Sequence, residues 1–301
     1  MDTSVELVRH LLQSIVYVHT NVSREHPSTR ILGNERLGSG VVVDASGLIL
    51  TVNYVVMGAQ TISVAFQKGR RAKAEIVAQD FEVGLALIKV NRQGLVAADI
   101  GTGDLVERSD EVVLLGAMQP QERRATGGFV TYIGEFESYW EYLLDRAIIS
   151  NAPNPGYGGG GLFTMTGRLA GTVHLNLNEI ARSSLAIPTD FYRSHRDEMV
   201  RYGRVVSRPR RAWLGIFASV VEEGVVVAGV VPDGPGDRGG LQEGDLIVSL
   251  NAQEVASRRD FYMSLWRHEP GEALTLEVMR DNKMRRFEVK GGDRAHFFRQ
   301  L

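Results

Sequence analysis

The sequence predicts a mainly-β protein: a closed or sandwiched β domain, then a second compact unit of about 80 residues. Three features carry that expectation. Short β-branched runs recur at regular spacing through the first 190 residues, a helical period sets in only after Pro188, and a basic stretch containing Pro209 precedes a fresh strand-and-helix pattern.

The runs at 40–44 (GVVVD), 48–52, 61–66, 74–78, 85–90 and 111–115 are apolar or β-branched. Asp-Ala-Ser-Gly, Lys-Gly-Arg and Asn-Arg-Gln-Gly clusters bound them. A second set follows at 128–133, 147–149, 162–165, 169–175 and 185–187. After Pro188, Thr189 is placed to cap a helix that turns Phe191, His195 and Met199 inward, and Gly203 stops it. The segment 204–211 (RVVSRPRR) has no periodicity and reads as a solvated tether. Beyond it, strands are expected near 213–218, 224–231, 245–250, 273–279 and 284–290, with a short helix from Asp237 and a longer one over 257–267. The domains so drawn are 1–203, a linker at 204–211, a second domain at 212–292 and a tail at 293–301.

Composition excludes several functions. Lys+Arg number 34 against 36 Asp+Glu, a net charge of −2, which provides no basic face for nucleic acid. Cysteine is absent, so there is no disulfide, thiolate nucleophile or thiolate metal site. The histidines at 10, 19, 26, 174, 195, 268 and 296 form no ligand spacing, and neither 38–40 (GSG) nor 156–161 has the lysine of a phosphate loop; no metal or cofactor is expected. Glu6 follows a start that lacks the positive charge of a secretory signal. With Met1 as the natural start, that predicts a cytoplasmic protein, and otherwise a periplasmic one. Glycine, 33 of 301 residues, is in excess.

Several collinear segments resemble the HtrA/DegP-type trypsin-like serine proteases. They are GSGVVVDASGLILTVNYVV (38–56), LALIKV (85–90), NPGYGGGGL (154–162), SLAIPTDF (184–191), RAWLGI (211–216), VVPDGPGDRGGLQEGDLIVSLN (230–251) and PGEALTLEVMRD (270–281). The resemblance implies a chymotrypsin-like double β-barrel followed by a PDZ domain, and a trimer built through the barrel. It also places Tyr54 where the family has its general-base histidine, Gly84 where it has the orienting acid, and Gly158 where it has the nucleophilic serine. A glycine has no atom with which to attack a carbonyl, and a tyrosine, with an ordinary pKa near 10, is a poor base at neutral pH. The expectation is therefore a catalytically inactive pseudoprotease, with Gly156, Tyr157 and Gly158 as a vestigial oxyanion loop free to collapse or move. The enzymatic alternative is a relocated site drawing on Ser39, Ser150, His174, Asp80 or Glu82.

The PDZ part keeps its family features. Trp213, Leu214, Gly215 and Ile216 match the carboxylate-binding loop. The peptide groove is expected between 216–218, with Phe217, and a helix carrying Arg258, Phe261, Tyr262 and Leu265. That predicts a peptide-binding scaffold, adaptor or chaperone-like subunit that captures apolar C-termini. The chain's own Gln300-Leu301 end is one candidate occupant. Another reading makes the chain a structural subunit of a larger enzyme complex, gripping it by the aromatic surface at Phe136, Tyr139, Trp140 and Tyr142.

Overall fold

The computed structural model describes residues 3–101, 105–177 and 182–299. They form two units: Met1–Glu135 with Asp145–Val206, and Phe136–Leu144 with Ser207–Leu301. The aromatic segment that sequence assigned to the first domain thus belongs with the second.

In the first unit, helix α1 (Thr3–Leu11) leads into a closed six-stranded barrel. Its strands are β1 (Ile15–Val22), β2 (Glu35–Asp44), β3 (Leu48–Val52), β4 (Ala59–Ala65), β5 (Arg71–Gln79) and β6 (Leu85–Val90), in the order β1-β2-β3-β6-β5-β4. Valine and isoleucine suit such strands because their stiff branched side chains pack on a pleated surface. Val16, Val18, Val42, Ile49, Val52, Val64 and Ile88 fill the barrel. The β2–β3 turn follows from its Asp-Ala-Ser-Gly sequence: the Ser46 amide donates to the Asp44 carboxylate at 2.8 Å, and Gly47 takes φ +103°.

A seven-stranded sheet follows, ordered β11 (Gly161–Thr164), β8 (Glu111–Ala117), β9 (Arg123–Ser138), β10 (Tyr142–Ser150), β13 (Ser184–Pro188), β12 (Arg168–Asn176) and β7 (Asp99–Ile100). β11 also pairs with β12, so the sheet returns on itself as a second barrel around Val112, Leu114, Ile148, Leu162 and Val173. Helices α2 (Thr29–Leu32) and α3 (Asn53–Val56) are single turns, and α4 (Thr189–Tyr202) ends at Gly203 in the left-handed conformation. Thr189 does not cap α4. It is the first helical residue, and its hydroxyl donates to the Leu169 carbonyl at 3.1 Å. The buried face of α4 is Thr189, Tyr192 and Met199, while Phe191 and His195 are only half-buried.

The second unit is a six-stranded sheet: β14 (Ile216–Val221), β15 (Gly224–Val230), β16 (Leu246–Leu250), β17 (Gln253–Glu254), β18 (Ala273–Arg280) and β19 (Lys283–Lys290). Helices α5 (Pro235–Arg238), α6 (Arg258–Leu265) and α7 (Arg294–Arg299) complete it. The Ser257 hydroxyl caps α6 by accepting the Asp260 amide at 3.0 Å. Asp245, fully buried, is held by both forks of Arg280 at 2.5 and 2.7 Å. The linker is no free tether, for Arg210 pairs with Asp293 and the Arg211 guanidinium lies 4.8 Å from the centre of the Trp266 ring.

Candidate functional site

The first candidate site is the cluster around Tyr54. β3 delivers the chain into α3, and the Asn53 amide donates to the Gly84 carbonyl at 2.7 Å. Arg36 on β2 fixes α3 from below. It donates to the Tyr54 and Met57 carbonyls, each at 2.8 Å, and to the Ser28 hydroxyl at 2.6 Å. These carbonyls satisfy a guanidinium whose pKa burial pulls down to about 10. The Tyr54 hydroxyl donates to the His174 carbonyl on β12 at 3.0 Å, and the two rings lie 5.6 Å apart. Burial pushes the Tyr54 phenol up to about 12 and the His174 imidazole down to about 3. At neutral pH the phenol keeps its proton and the imidazole is uncharged.

Gly84 sits at φ +85°, a conformation that glycine adopts without steric cost, and closes a turn by donating its amide to the Asp80 carbonyl at 3.0 Å. The Asp80 carboxylate accepts the amides of Glu82 and Val83 at 3.0 and 3.2 Å, so it braces this turn. Asp80 and Glu82 therefore flank position 84 as turn residues.

The glycines at 156–161 are packed, not loose. A Cβ on Gly158 would lie 1.9 Å from the Tyr54 hydroxyl oxygen, and one on Gly156 2.6 Å from the Ala117 amide nitrogen. The Gly158 carbonyl accepts the Ser39 amide at 2.7 Å, while the Tyr157 amide donates to the Ala117 carbonyl at 3.1 Å. The Gly156 amide is taken up by the Asn154 side chain at 3.1 Å. Glycine content left this loop free to collapse or move, and close backbone approach holds it. Positions 54, 84 and 158 thus hold a phenol that keeps its proton at neutral pH and two glycines. Of the other hydroxyls weighed from sequence, Ser39 Oγ accepts the Ala117 amide at 2.9 Å, and Ser150 is fully buried.

The second candidate site lies in the second unit. Gly215 takes φ +74°, and this turn brings three consecutive amides to one point. Leu214 donates to one oxygen of the Glu141 carboxylate at 3.0 Å, and Gly215 and Ile216 donate to the other at 2.6 and 2.9 Å. Glu141 is 3% exposed. Burial raises its pKa, a push that the three amides and the Arg294 guanidinium oppose. The neighbouring main chain runs along β14, where the Ala218 amide donates to the Tyr139 carbonyl at 2.6 Å. On the other side, the Tyr262 hydroxyl of α6 donates to the Ser138 carbonyl at 2.6 Å and accepts the Glu141 amide at 3.0 Å. Arg258 holds Glu137 at 3.1 Å, and Arg294 donates to the Trp140 and Glu141 carbonyls, each at 3.2 Å.

Phe261 and Leu265 are fully buried beneath this groove, and Leu143 joins the same core. Phe217 contributes a ring 5.8 Å from that of Tyr139. Trp213 pairs with Gly292 and packs on Phe297 and Phe298 of α7, so it anchors the loop. The aromatic segment is likewise corrected. Tyr142 is buried and stacked with Trp140 at 5.7 Å, which leaves Tyr139 alone of that set exposed. Gln300 and Leu301, offered as an occupant of the groove, lie outside the described residues.

Sequence reasoning missed Glu141. Its local signal, an acid inside an aromatic run, looks like ordinary surface punctuation. Its φ of +53°, unusual for a residue other than glycine, exists only in three dimensions.

A model of the trypsin-like peptidase domain matches residues 38–171, and one of the PDZ domain matches 212–290. A probable periplasmic serine endoprotease, DegP-like, from Ectopseudomonas mendocina is 30% identical over 89% of this chain and 58% of the relative. A protein of the same description from Pseudomonas savastanoi is 29% identical over 86% and 56%. The chain thus spans little more than half the length of these curated relatives. Among solved structures, the HtrA-type protease AlgW with a decapeptide is 26% identical, with a TM-score of 0.58 over 97% of this chain and 99% of that one. The serine endoprotease from Yersinia pestis matches equally, at 26% and 0.58 over 97% and 98%. Two expectations are corrected here. The reading of the chain as no enzyme is overturned by relatives named serine endoproteases, and the cytoplasmic location by relatives named periplasmic.

Proposed function

The chain belongs to the HtrA-type family, a trypsin-like peptidase domain followed by a PDZ domain, and from that premise we propose that it works by binding peptides through the PDZ unit. It would act as a periplasmic scaffold, adaptor or chaperone-like subunit, assembled as a homo-oligomer, and specifically as a trimer. One observation carries the reading: the amides of Leu214, Gly215 and Ile216 converge on a single carboxylate, with β14 offering main-chain pairing beside it. A C-terminal carboxylate has the same chemistry as the group they hold. The buried apolar residues Phe261 and Leu265 below favour an apolar last residue. The test is fluorescence anisotropy with a panel of labelled decapeptides ending in Leu, Val, Ile, Phe or Ala. Binding that disappears on C-terminal amidation is expected; no binding by any member, at any concentration that keeps the protein folded, sinks the reading.

The names of the relatives favour a second reading, serine endopeptidase activity. It requires a hydroxyl nucleophile other than position 158. Labelling by a fluorophosphonate probe, with the modified serine located by mass spectrometry, decides it.

A further inference from the structure

The carboxylate-binding loop of the second unit is filled by the chain itself. Phe136–Leu144, which comprises the end of β9 and the start of β10, belongs to that unit, whereas the rest of both strands belongs to the first. Its main chain occupies the place of a bound peptide on three counts. The Tyr139 carbonyl pairs with β14 through Ala218, the Ser138 carbonyl is held from α6 by Tyr262, and the carboxylate at the amide trio is that of Glu141. A chain that must continue past the loop cannot present a terminal carboxylate, and a side-chain carboxylate supplies the same two oxygens. The left-handed backbone at Glu141 lets the chain turn into β10 while the acid stays in the loop. Two further residues hold the segment from outside the trio, Arg258 on Glu137 and Arg294 on the carbonyls of 140 and 141.

We infer that the hairpin tip at 137–143 is an internal ligand of the PDZ groove, and that a partner's C-terminus binds only by displacing Glu141 from Leu214, Gly215 and Ile216. The inference rests on the peptide-binding reading above and adds what competes for the groove. Apparent affinity falls by the fraction of chains whose groove is open, so a groove open in about one chain in ten weakens binding about tenfold.

The experiment compares the full chain with its Glu141→Ala and Arg294→Ala variants. Arg294→Ala leaves the amide trio untouched, releases the carbonyls of 140 and 141 and removes the guanidinium that favours the Glu141 carboxylate, so it serves if Glu141→Ala fails to fold. Two readouts are taken: hydrogen exchange at the amides of 214–216, and anisotropy with the free-carboxylate decapeptide panel. Glu141→Ala should speed exchange at 214–216 at least tenfold and tighten peptide binding at least tenfold, with Arg294→Ala between it and the parent. Unchanged exchange in both variants overturns the inference, as does equal peptide affinity across all three proteins. Faster exchange with no peptide bound by any variant would leave Glu141 as the occupant and defeat the peptide-binding reading, so the two failures are distinguishable.

Discussion

Adding one methyl group at position 158 tests the packing of the cluster around Tyr54. The Cβ of Gly158→Ala would sit 1.9 Å from the Tyr54 hydroxyl oxygen, where 3.4 Å is ordinary contact, so the phenol must retreat by about 1.5 Å. That oxygen is bonded to the His174 carbonyl at 3.0 Å, and such a move breaks the bond. Loss of the hydrogen bond costs about 1 kcal/mol and overpacking a further 1–3 or so, together about 2–4 kcal/mol. With Tyr54→Phe already in place, the nearest atoms are the ring carbon at 3.0 Å and the His174 carbonyl at 3.2 Å, which need yield only slightly. The same alanine should then cost about 1 kcal/mol, giving a coupling of about 1–3 kcal/mol in a double-mutant cycle. Denaturant unfolding followed by circular dichroism measures it. All three tryptophans (140, 213 and 266) belong to the second unit, so tryptophan fluorescence provides an internal control that should not shift. Additivity of the two substitutions within about 0.5 kcal/mol, or a Gly158→Ala cost below about 1, would refute the claim that the phenol occupies the space of a 158 side chain.

Other consequences follow from single groups. His174, held neutral with a pKa of about 3 against an unfolded value near 6.5, contributes stability that is fully present above pH 6.5 and is lost as pH falls toward 3. The wild-type stability should therefore drop relative to His174→Gln by up to about 1.4 kcal/mol per pH unit below 6.5, read by urea unfolding at pH 7, 6, 5 and 4. Asp245→Ala removes the partner of Arg280 and opens a buried polar site in the second unit, so it should cost about 3 kcal/mol or more in the tryptophan-monitored transition. Ser257→Ala deletes the cap of α6 and should lower the same transition by about 1 kcal/mol.

The barrels and the PDZ sheet were legible because alternating Val and Ile runs and the Gly-containing turns between them act locally. Most strands fall within a few residues of their expected places. Helix α1 and strand β1 had no such local signature. The substituted positions were also legible one residue at a time, but their mutual fit was not. That Tyr54 and Gly158 exchange volume depends on two residues 104 apart in the chain coming together through β3 and the 156–161 loop. Thr189 looked like a cap because its type suits one, yet Pro188 holds the cap position and the threonine hydroxyl turns to Leu169. Glycine in the 156–161 run suggested freedom, whereas the loop uses it for close contact. Glu141 was the least legible, because an acid becomes a ligand only when three amides from 73 to 75 residues away are brought to it.

If Leu214, Gly215 and Ile216 receive a peptide's terminal carboxylate, titration of the Glu141→Ala chain with one apolar-ended decapeptide, in its free-acid and amidated forms, reads that out. A carboxylate that accepts three amide hydrogen bonds, each to a charged group and worth about 1.5–3 kcal/mol, should bind at least a hundredfold tighter than the amide. Equal affinity for the two forms would mean that these three amides do not receive a terminal carboxylate.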